Sequence, residues 1–230
     1  MQKKTLSYIS SLILCLTVFT VNAQKKIIES TDTIKEPIYN GFTVQADIAS
    51  AIIPLLSNNI TYTYEAGIQV DLKHKFFPVI ELGMSGANKT TAENIEFVTN
   101  APFGRIGIDI NLLKSKKDTK PTNNLFVAGI RVGMTNFNYK ITNASITNDY
   151  WGGTAIVDYS NIPTCTKVWW EIVAGVRVEV VKNIFMGWTI RDRNLINQDA
   201  DGTVAPWYIP GFGINAANNW GFNYTIGYHF

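Results

Sequence analysis

The sequence predicts an all-β protein, an eight-stranded antiparallel up-and-down transmembrane β-barrel. Three observations predict it: a period of two in the apolar side chains, a sharp difference between the two faces that this period creates, and connections that alternate between short and long. Successive side chains of a strand point to opposite faces, so a period of two sorts residues by face. The closing segment, Trp220 to Phe230, shows the pattern most clearly, because every second residue is large and apolar.

Eight segments of about 10 to 14 residues show this alternation. They are longer than the usual five or six residues of a soluble strand, and they match the ~9 to 11 tilted residues that cross a bilayer. The predicted strands are 42–51, 60–72, 76–85, 102–112, 125–138, 167–180, 183–192 and 219–230. An additional hairpin within 139–166 would raise the number of strands to ten.

The connections between these strands are of two kinds. Three of them are turns or basic segments: Lys73 to Lys75, Val181-Lys182 and 113–124. The others are loops, modest at 50–59 and much longer at 86–101, 139–166 and 193–218. Short turns at one end and long loops at the other are typical of outer-membrane barrels, in which the short turns are periplasmic and the long loops extracellular.

The N-terminus predicts export. Lys3 and Lys4 precede an apolar run that ends at Val21-Asn22-Ala23, a cleavage site made of small residues. The predicted organisation is therefore a signal peptide at 1–23, a periplasmic tail at 24–41 and a barrel at 42–230. The mature chain would keep Cys165 alone, which excludes an internal disulfide and a cysteine metal cluster, and we expect no metal and no cofactor. The net charge of +2 is too small to favour nucleic acid as a partner.

Alternation alone does not decide which face is inside. A soluble secreted lipocalin-like barrel would place its apolar face inside to bind an apolar ligand, and this alternative stays open. Three features favour the inverted arrangement, with lipid outside. Apart from Lys167 at the start of its strand, the strand cations are arginines, which suit buried pairing with carboxylates. Glycines share the charged face, which suits a narrow lumen. Aromatics lie near strand ends on the apolar face, as in an interfacial girdle.

In the inverted arrangement, the charged face becomes a lumenal network. Its predicted members are Asp47, Glu65, Glu81, Arg105, Asp109, Arg131, Glu171, Arg177, Glu179 and Arg191. An eight-stranded barrel has room for side chains but not for an aqueous channel, so we expect a packed polar core without an open pore. A gated or narrow pore and a buried proton-titrating site are the functional alternatives.

The sequence does not favour an enzyme. Hydrolysis at an outer rim would need a base such as histidine, and the two histidines, His74 and His229, fall at the predicted periplasmic end. We therefore expect no catalytic residues, and a lipid- or peptide-modifying barrel enzyme is kept as an alternative. The segment 197–202 has alternating oxygen ligands but lacks the later glutamate of a calcium loop.

Two loops concentrate aromatic residues, glycine and proline. Exposed aromatics are frequent binding anchors, so Trp151, Trp207, Tyr208 and Phe212 are candidate contacts for an extracellular ligand of unknown identity. Folding of these loops onto themselves or over the barrel mouth is an equally good interpretation.

The whole chain resembles the small outer-membrane β-barrels of Gram-negative bacteria. The signal ending at Ala23-Gln24, the segment 208–213 and the closing Gly-Tyr-His-Phe are similar to an uncharacterised Bacteroidetes-type family of unknown function. The resemblance implies an outer-membrane location, lipid as the surrounding partner and a barrel of structural or surface-interaction type. It also implies that the barrel assembly machinery recognises the aromatic C-terminal strand, here Tyr224, Ile226, Tyr228 and Phe230.

Overall fold

A computed structural model describes residues 37–56, 61–113, 123–148, 153–159, 164–196 and 205–230. The predicted signal peptide, most of the predicted periplasmic tail, Trp151 and the segment 197–202 lie outside the described residues.

The described residues form twelve strands and one helix, α1 (Ala49–Leu56). The first six strands are β1 (Tyr39–Asp47), β2 (Thr61–Leu72), β3 (Phe76–Thr90), β4 (Glu96–Asn111), β5 (Leu125–Phe137) and β6 (Tyr139–Asn148). The last six are β7 (Gly153–Tyr159), β8 (Cys165–Val181), β9 (Ile184–Leu195), β10 (Tyr208–Ile209), β11 (Gly213–Ile214) and β12 (Asn218–His229).

Eight of these strands close into an antiparallel barrel in the order β1-β2-β3-β4-β5-β8-β9-β12, and β12 pairs back onto β1. The closing ladder runs from Thr43 opposite His229 to Asp47 opposite Thr225. The Phe230 amide continues it by donating to the Phe42 carbonyl at 2.9 Å. The predicted eight-stranded barrel is confirmed. Its short-turn end carries Tyr39, Phe230, the turns after β2 and β8, the end of β4 and the start of β5. The opposite, long-loop end carries the ends of β1, β3, β5 and β9.

The hairpin of β6 and β7 forms outside the barrel wall. Residues Tyr139 to Thr142 of β6 pair with the first residues of β4, while β5 pairs directly with β8. The sheet therefore extends beyond the barrel at the long-loop end instead of widening it to ten strands. The same end is lengthened by β3 and β4, which pair up to Thr90 opposite Glu96, so most of the loop predicted at 86–101 is strand.

Helix α1 corrects the predicted strand 42–51. The chain leaves β1 after Asp47, whose carboxylate accepts hydrogen bonds from the Ala49 amide at 3.1 Å and from the Ser50 hydroxyl. A carboxylate in this position caps the exposed amides of a helix start. The helix lies against β2 and β12, where β1 would otherwise have continued. In the described part of the chain, no helix is long and apolar enough to span a membrane.

The two faces of the wall separate by residue parity. Even-numbered strand residues point outward and include Leu82, Ile106 and Ile130, each about two-thirds exposed, whereas the odd-numbered Val79 and Trp169 are buried. Outward positions are uncharged over 42–46, 62–70, 76–84, 102–110, 126–134, 168–180, 184–190 and 220–228. The apolar face is therefore outside, and the lipocalin-like alternative is wrong for this chain.

The interior consists of three layers. A charged layer occupies the middle, and a small apolar floor of Phe77, Leu125 and Val127 lies toward the short-turn end. Toward the long-loop end lies an aromatic layer, whose larger members are Phe97, Phe103, Phe137, Tyr139, Trp169, Tyr208 and Phe212. The strand residues among them were not predicted to face inward.

Candidate functional site

The charged layer is an ion-pair network, here called the charge network, contributed by six of the eight barrel strands. Its members are Glu65, Glu81, Asp109 and Glu171 with Arg105, Arg131, Arg191 and Arg193. Four carboxylates thus meet four arginines, and the formal charges cancel. Alternation along each strand brings these residues to one lumen, because all of them occupy inward positions.

Glu81 lies at the centre of the charge network. Its carboxylate is 2.6 Å from Arg191 Nη1, 3.1 Å from Arg131 Nε and 3.4 Å from Arg105 Nη1. The side chain is 1 % exposed, so almost no water reaches these contacts. One carboxylate shared by three guanidinium groups ties together β3, β4, β5 and β9.

Arg105 and Arg191 connect the remaining carboxylates. Arg105 contacts Glu65 at 2.6 Å through Nη1 and Glu171 at 2.8 Å through Nε. Arg191 contacts the same two residues at 3.1 and 3.5 Å. Buried charges are tolerated only when they are paired, and removal of one partner leaves an uncompensated charge. The network is therefore a unit in which each residue depends on the others.

Glycines make room for this network. A Cβ on Gly107 would collide with Arg131, and a Cβ on Gly129 would collide with Asp109. A Cβ on Gly133 would likewise collide with the Trp169 ring. The inward glycines thus allow large side chains of the neighbouring strand to cross the lumen, which is filled as a result.

A turn from the β9–β12 connection closes the barrel mouth. This mouth plug, residues 207–213, contains β10 and brings Ile209 and Phe212 to full burial. The Gly211 carbonyl accepts a 2.7 Å hydrogen bond from Arg105 Nη2, and the Phe212 carbonyl accepts one of 3.0 Å from Arg193 Nη1. Gly211 has a φ of 78°, a conformation that favours glycine. The plug is therefore bonded directly to the charge network.

The mouth plug also makes contacts with the barrel wall. The Tyr208 hydroxyl is 2.9 Å from the Ser85 hydroxyl, and Lys89 Nζ lies 4.1 Å above the centre of the Trp207 ring. Of the predicted loop contacts, Tyr208 and Phe212 are buried inside the mouth, and Trp207 is partly exposed at its rim. This placement agrees with the interpretation that the loop folds over the mouth.

Seven of the ten residues predicted for the lumenal network lie in it, and three do not. Asp47 faces no arginine and instead accepts hydrogen bonds from Asn223 Nδ2 and the Tyr224 amide, beside the start of α1. Glu179 lies at the short-turn end, where it accepts from Asn123 Nδ2 at 2.7 Å and the Asn183 amide at 2.9 Å. Its strand leaves the lumen there, so the inward parity no longer leads to burial.

Arg177 is the third exception. It lies inside the barrel but makes no ion pair within 4.0 Å to any carboxylate of the described residues. Its Nη1 donates to Gln69 Oε1, and its guanidinium carbon lies 5.5 Å from the centre of the Phe77 ring and 5.0 Å from that of Phe185. The two rings stabilise the cation through their faces, without supplying negative charge.

Two members of this site were missed by the sequence analysis. Arg193 has the same parity as Arg191, but the predicted strand stopped at 192, whereas β9 continues to Leu195. Trp169 has the parity of Glu171, and its Nε1 donates a 2.7 Å hydrogen bond to Glu171 Oε1. Extending the parity rule to aromatic residues and to one further strand residue would have found both.

The C-terminal residues predicted as an assembly signal all face outward. Tyr228 and Phe230 are about half-exposed, and the Phe230 ring stacks on Phe42 of β1 at 4.9 Å. Both histidines lie at the short-turn end: His74 Nδ1 is 2.6 Å from Asp71, and His229 Nδ1 is 3.0 Å from the Thr43 hydroxyl. Among the described residues, no group of three or more His, Cys, Asp or Glu side chains could hold a metal ion.

Residues 5–230 match the model of a family described as a domain of unknown function, DUF6048. The chain belongs to this family. A search among curated proteins finds no match for this DUF6048 member.

Two solved structures are similar to this DUF6048 member at low sequence identity. The crystal structure of neisserial surface protein A (NspA) is 10 % identical, with a TM-score of 0.39 and coverage of 84 % of this chain and 99 % of that one. The attachment invasion locus protein Ail of Yersinia pestis, solved in complex with the heparin analogue sucrose octasulfate, is 6 % identical. Its TM-score is 0.38, and the coverage is 82 % of this chain and 93 % of that one.

Proposed function

We propose that the protein is an outer-membrane β-barrel without an open pore and that it serves as a structural or surface-interaction protein. The observation that carries this proposal is the uncharged apolar band on the outside of a closed barrel. In lipid, every backbone polar group needs an internal partner, and a closed barrel meets that requirement. Asp192 is the first charged residue at an outward position of β9, and it marks the edge of the band toward the long-loop end.

The filled interior supports a barrel that does not conduct. The charge network joins six strands across the lumen, and the mouth plug covers it toward the long-loop end. Water-filled channels are typical of barrels with many more strands. In this proposal the charged lumen therefore rigidifies the wall and does not conduct ions.

The surface-interaction part of the proposal rests on the long-loop end. There the β6–β7 hairpin and the extensions of β3 and β4 continue the sheet beyond the barrel, with Ile156 about three-quarters exposed. We propose that this end faces the cell exterior and meets a ligand of unknown identity. Export through the signal peptide at 1–23, an origin in a Bacteroidetes-type bacterium and insertion by the barrel assembly machinery complete the proposal, which includes no catalytic step.

Fractionation tests the location. The protein should be recovered from outer membranes after carbonate extraction and should migrate as a heat-modifiable band. An epitope inserted between Asn148 and Gly153 should be accessible to antibody on intact cells. Recovery in the soluble periplasmic fraction would overturn the proposal, and labelling only after lysis would reverse the proposed orientation.

Planar-bilayer recording tests the closed lumen. The purified protein should insert without steady open-channel conductance. A second recording with residues 207–213 replaced by a short glycine-serine linker tests whether the plug or the charge network closes the barrel. Steady conductance of the unmodified protein would overturn the non-conducting part of the proposal.

A further inference from the structure

A small cavity lies in the lumen between the charge network and the apolar floor. Its volume is about 30 Å³, and its lining includes Asp109, Arg131, Arg177, Thr189 and Arg191. A space of this size holds about two water-sized particles, since one needs roughly 10 to 15 Å³. The cavity is therefore large enough for a monatomic ion and too small for a tetrahedral oxyanion with five heavy atoms.

The residues around the cavity have more free donors than free acceptors. Arg131 Nη1, Arg177 Nε, Arg191 Nε and the Thr189 hydroxyl are buried and have no hydrogen-bond partner among the described residues. The corresponding free acceptor is Asp109 Oδ1. Buried polar groups nearly always find a partner in a protein or in a bound molecule. The three arginine nitrogens can only donate, the Thr189 hydroxyl can donate or accept, and the Asp109 oxygen can only accept. This excess of donors indicates that the missing partner is an acceptor.

The charges lead to the same result. The charge network is balanced, so its carboxylates compensate its own arginines. Arg177 is not a member of the charge network, and it makes no ion pair within 4.0 Å to a carboxylate of the described residues. Asp71, on a neighbouring element, is engaged by the His74 amide at 2.8 Å and by His74 Nδ1 at 2.6 Å. Asp71 and Asp109 attract the Arg177 guanidinium from beyond 4.0 Å, so this buried cation has carboxylates nearby but none in direct contact with it. A buried charge is best tolerated when it is directly paired.

We propose that this cavity binds a small inorganic anion of halide size. The anion accepts hydrogen bonds from Arg177 and Arg131, supplies the direct ionic contact that Arg177 lacks, and leaves Asp109 in its bonds to Gln69 and Arg131. Water fits less well, because each molecule brings two further donors to a site whose unmatched groups are mostly donors already. The bound anion thus fills the cavity between the charge network and the apolar floor.

Crystallography with bromide tests the site directly. Crystals of the full-length protein, purified in detergent and grown in sodium bromide, should show an anomalous peak in the cavity in contact with Arg177 and Arg131. Crystals of Arg177→Gln grown in the same way should lack it. Water density without an anomalous peak in the unmodified protein would overturn the proposal.

Thermal unfolding in detergent provides the solution test. Each tenfold increase in bromide above its Kd should raise the unfolding midpoint by about 3 to 5 °C relative to gluconate at equal ionic strength. Arg177→Gln should abolish this halide effect. Arg193→Gln is the matched control, since it removes another lumenal arginine that does not line the cavity, and the halide effect should persist.

If Arg177→Gln does not fold, Thr189→Val provides the variant, because it removes one unmatched donor and keeps the side-chain shape. It should raise the bromide concentration needed for the same shift several-fold. Equal stabilisation of the unmodified protein by bromide and gluconate, or an unchanged bromide requirement in Thr189→Val, would contradict the site.

Discussion

The outward and inward faces of the barrel wall differ in what determines their residues. Outward positions are uniformly apolar and nearly interchangeable: Leu82, Ile106 and Ile130 have similar exposure and no specific partner. Inward positions are individually matched, as Glu81 is to three arginines and Trp169 is to Gly133 and Glu171. The outward face meets the surroundings of the barrel, which require only that its side chains be apolar. The inward face meets other side chains, which require a matching shape and charge.

This difference predicts how each face responds to substitution. Outward changes should matter through polarity and depth in the membrane, and apolar replacements should be tolerated. Inward changes should matter through the partners that they leave behind. The four substitutions below test the comparison in order of decreasing effect.

Arg191→Met should have the largest effect. Arg191 is buried and forms ion pairs with Glu65, Glu81 and Glu171. Its loss therefore leaves these three buried carboxylates with less positive charge around them. We expect a decrease of about 3 to 5 kcal/mol in the free energy of unfolding. Equilibrium urea unfolding in phospholipid micelles, followed by tryptophan fluorescence, measures it. Glu179→Gln, at the solvated short-turn end, should stay within about 0.5 kcal/mol of the unmodified protein.

Ile130→Arg tests the outward face. Ile130 lies near the middle of β5 and is 63 % exposed, so in the proposed membrane its replacement places a cation in hydrocarbon. The expected cost is about 2 to 4 kcal/mol in refolding into lipid vesicles. Ile156→Arg is the matched control on the hairpin beyond the barrel, with an expected change of less than about 0.5 kcal/mol. Similar effects at both positions would break the distinction between membrane band and hairpin.

Trp169→Phe tests the connection between the aromatic layer and the charge network. The substitution keeps an apolar ring but removes the 2.7 Å hydrogen bond from Trp169 Nε1 to Glu171. Because hydrogen bonds to charged groups contribute more than neutral ones, unfolding should become easier by about 1.5 to 3 kcal/mol. The same urea titration applies, and an unchanged midpoint would show that this bond contributes nothing to the network.

Tyr208→Phe should have the smallest effect. It removes the hydroxyl that is 2.9 Å from Ser85 and leaves the ring in the mouth plug. Because the bond joins two neutral groups, a loss of about 0.5 to 1.5 kcal/mol is expected. Hydrogen exchange of the 207–213 amides measures whether the plug opens more often. A larger loss than that of Trp169→Phe would reverse the expected order of the two substitutions.

Much of the wall could be predicted from the sequence, because the period of two is a local property of a strand. The period placed eight strands, and the charges on one parity indicated the inward face, with Glu81 and Arg131 on it. The aromatic layer was not predicted, since the inward face was recognised by its charges, and Phe103 and Trp169 share its odd positions without being charged. The odd or even position of a residue along its strand decides whether the side chain points into the lumen, whatever its polarity.

Other features depend on how the strands meet. The β6–β7 hairpin was foreseen only as a choice between eight and ten strands, because its pairing with the start of β4 is a long-range contact. Helix α1 escaped notice because its residues are apolar and follow a strand without a break in pattern. Its start depends on Asp47, which also bonds to β12, far away in sequence.

The sequence by itself determined the strands, their parity and the closure of the apolar band by a C-terminal strand, since all of these follow from local alternation. The tertiary structure decided which carboxylate meets which arginine, that Asp47 and Glu179 leave the charge network, and that residues 207–213 enter the mouth. It also left Arg177 at a cavity, with no carboxylate of the described residues within 4.0 Å of its guanidinium nitrogens. These outcomes depend on register and stagger between strands, which bring together residues as far apart as Asp47 and Asn223, 176 positions, and which no local pattern encodes.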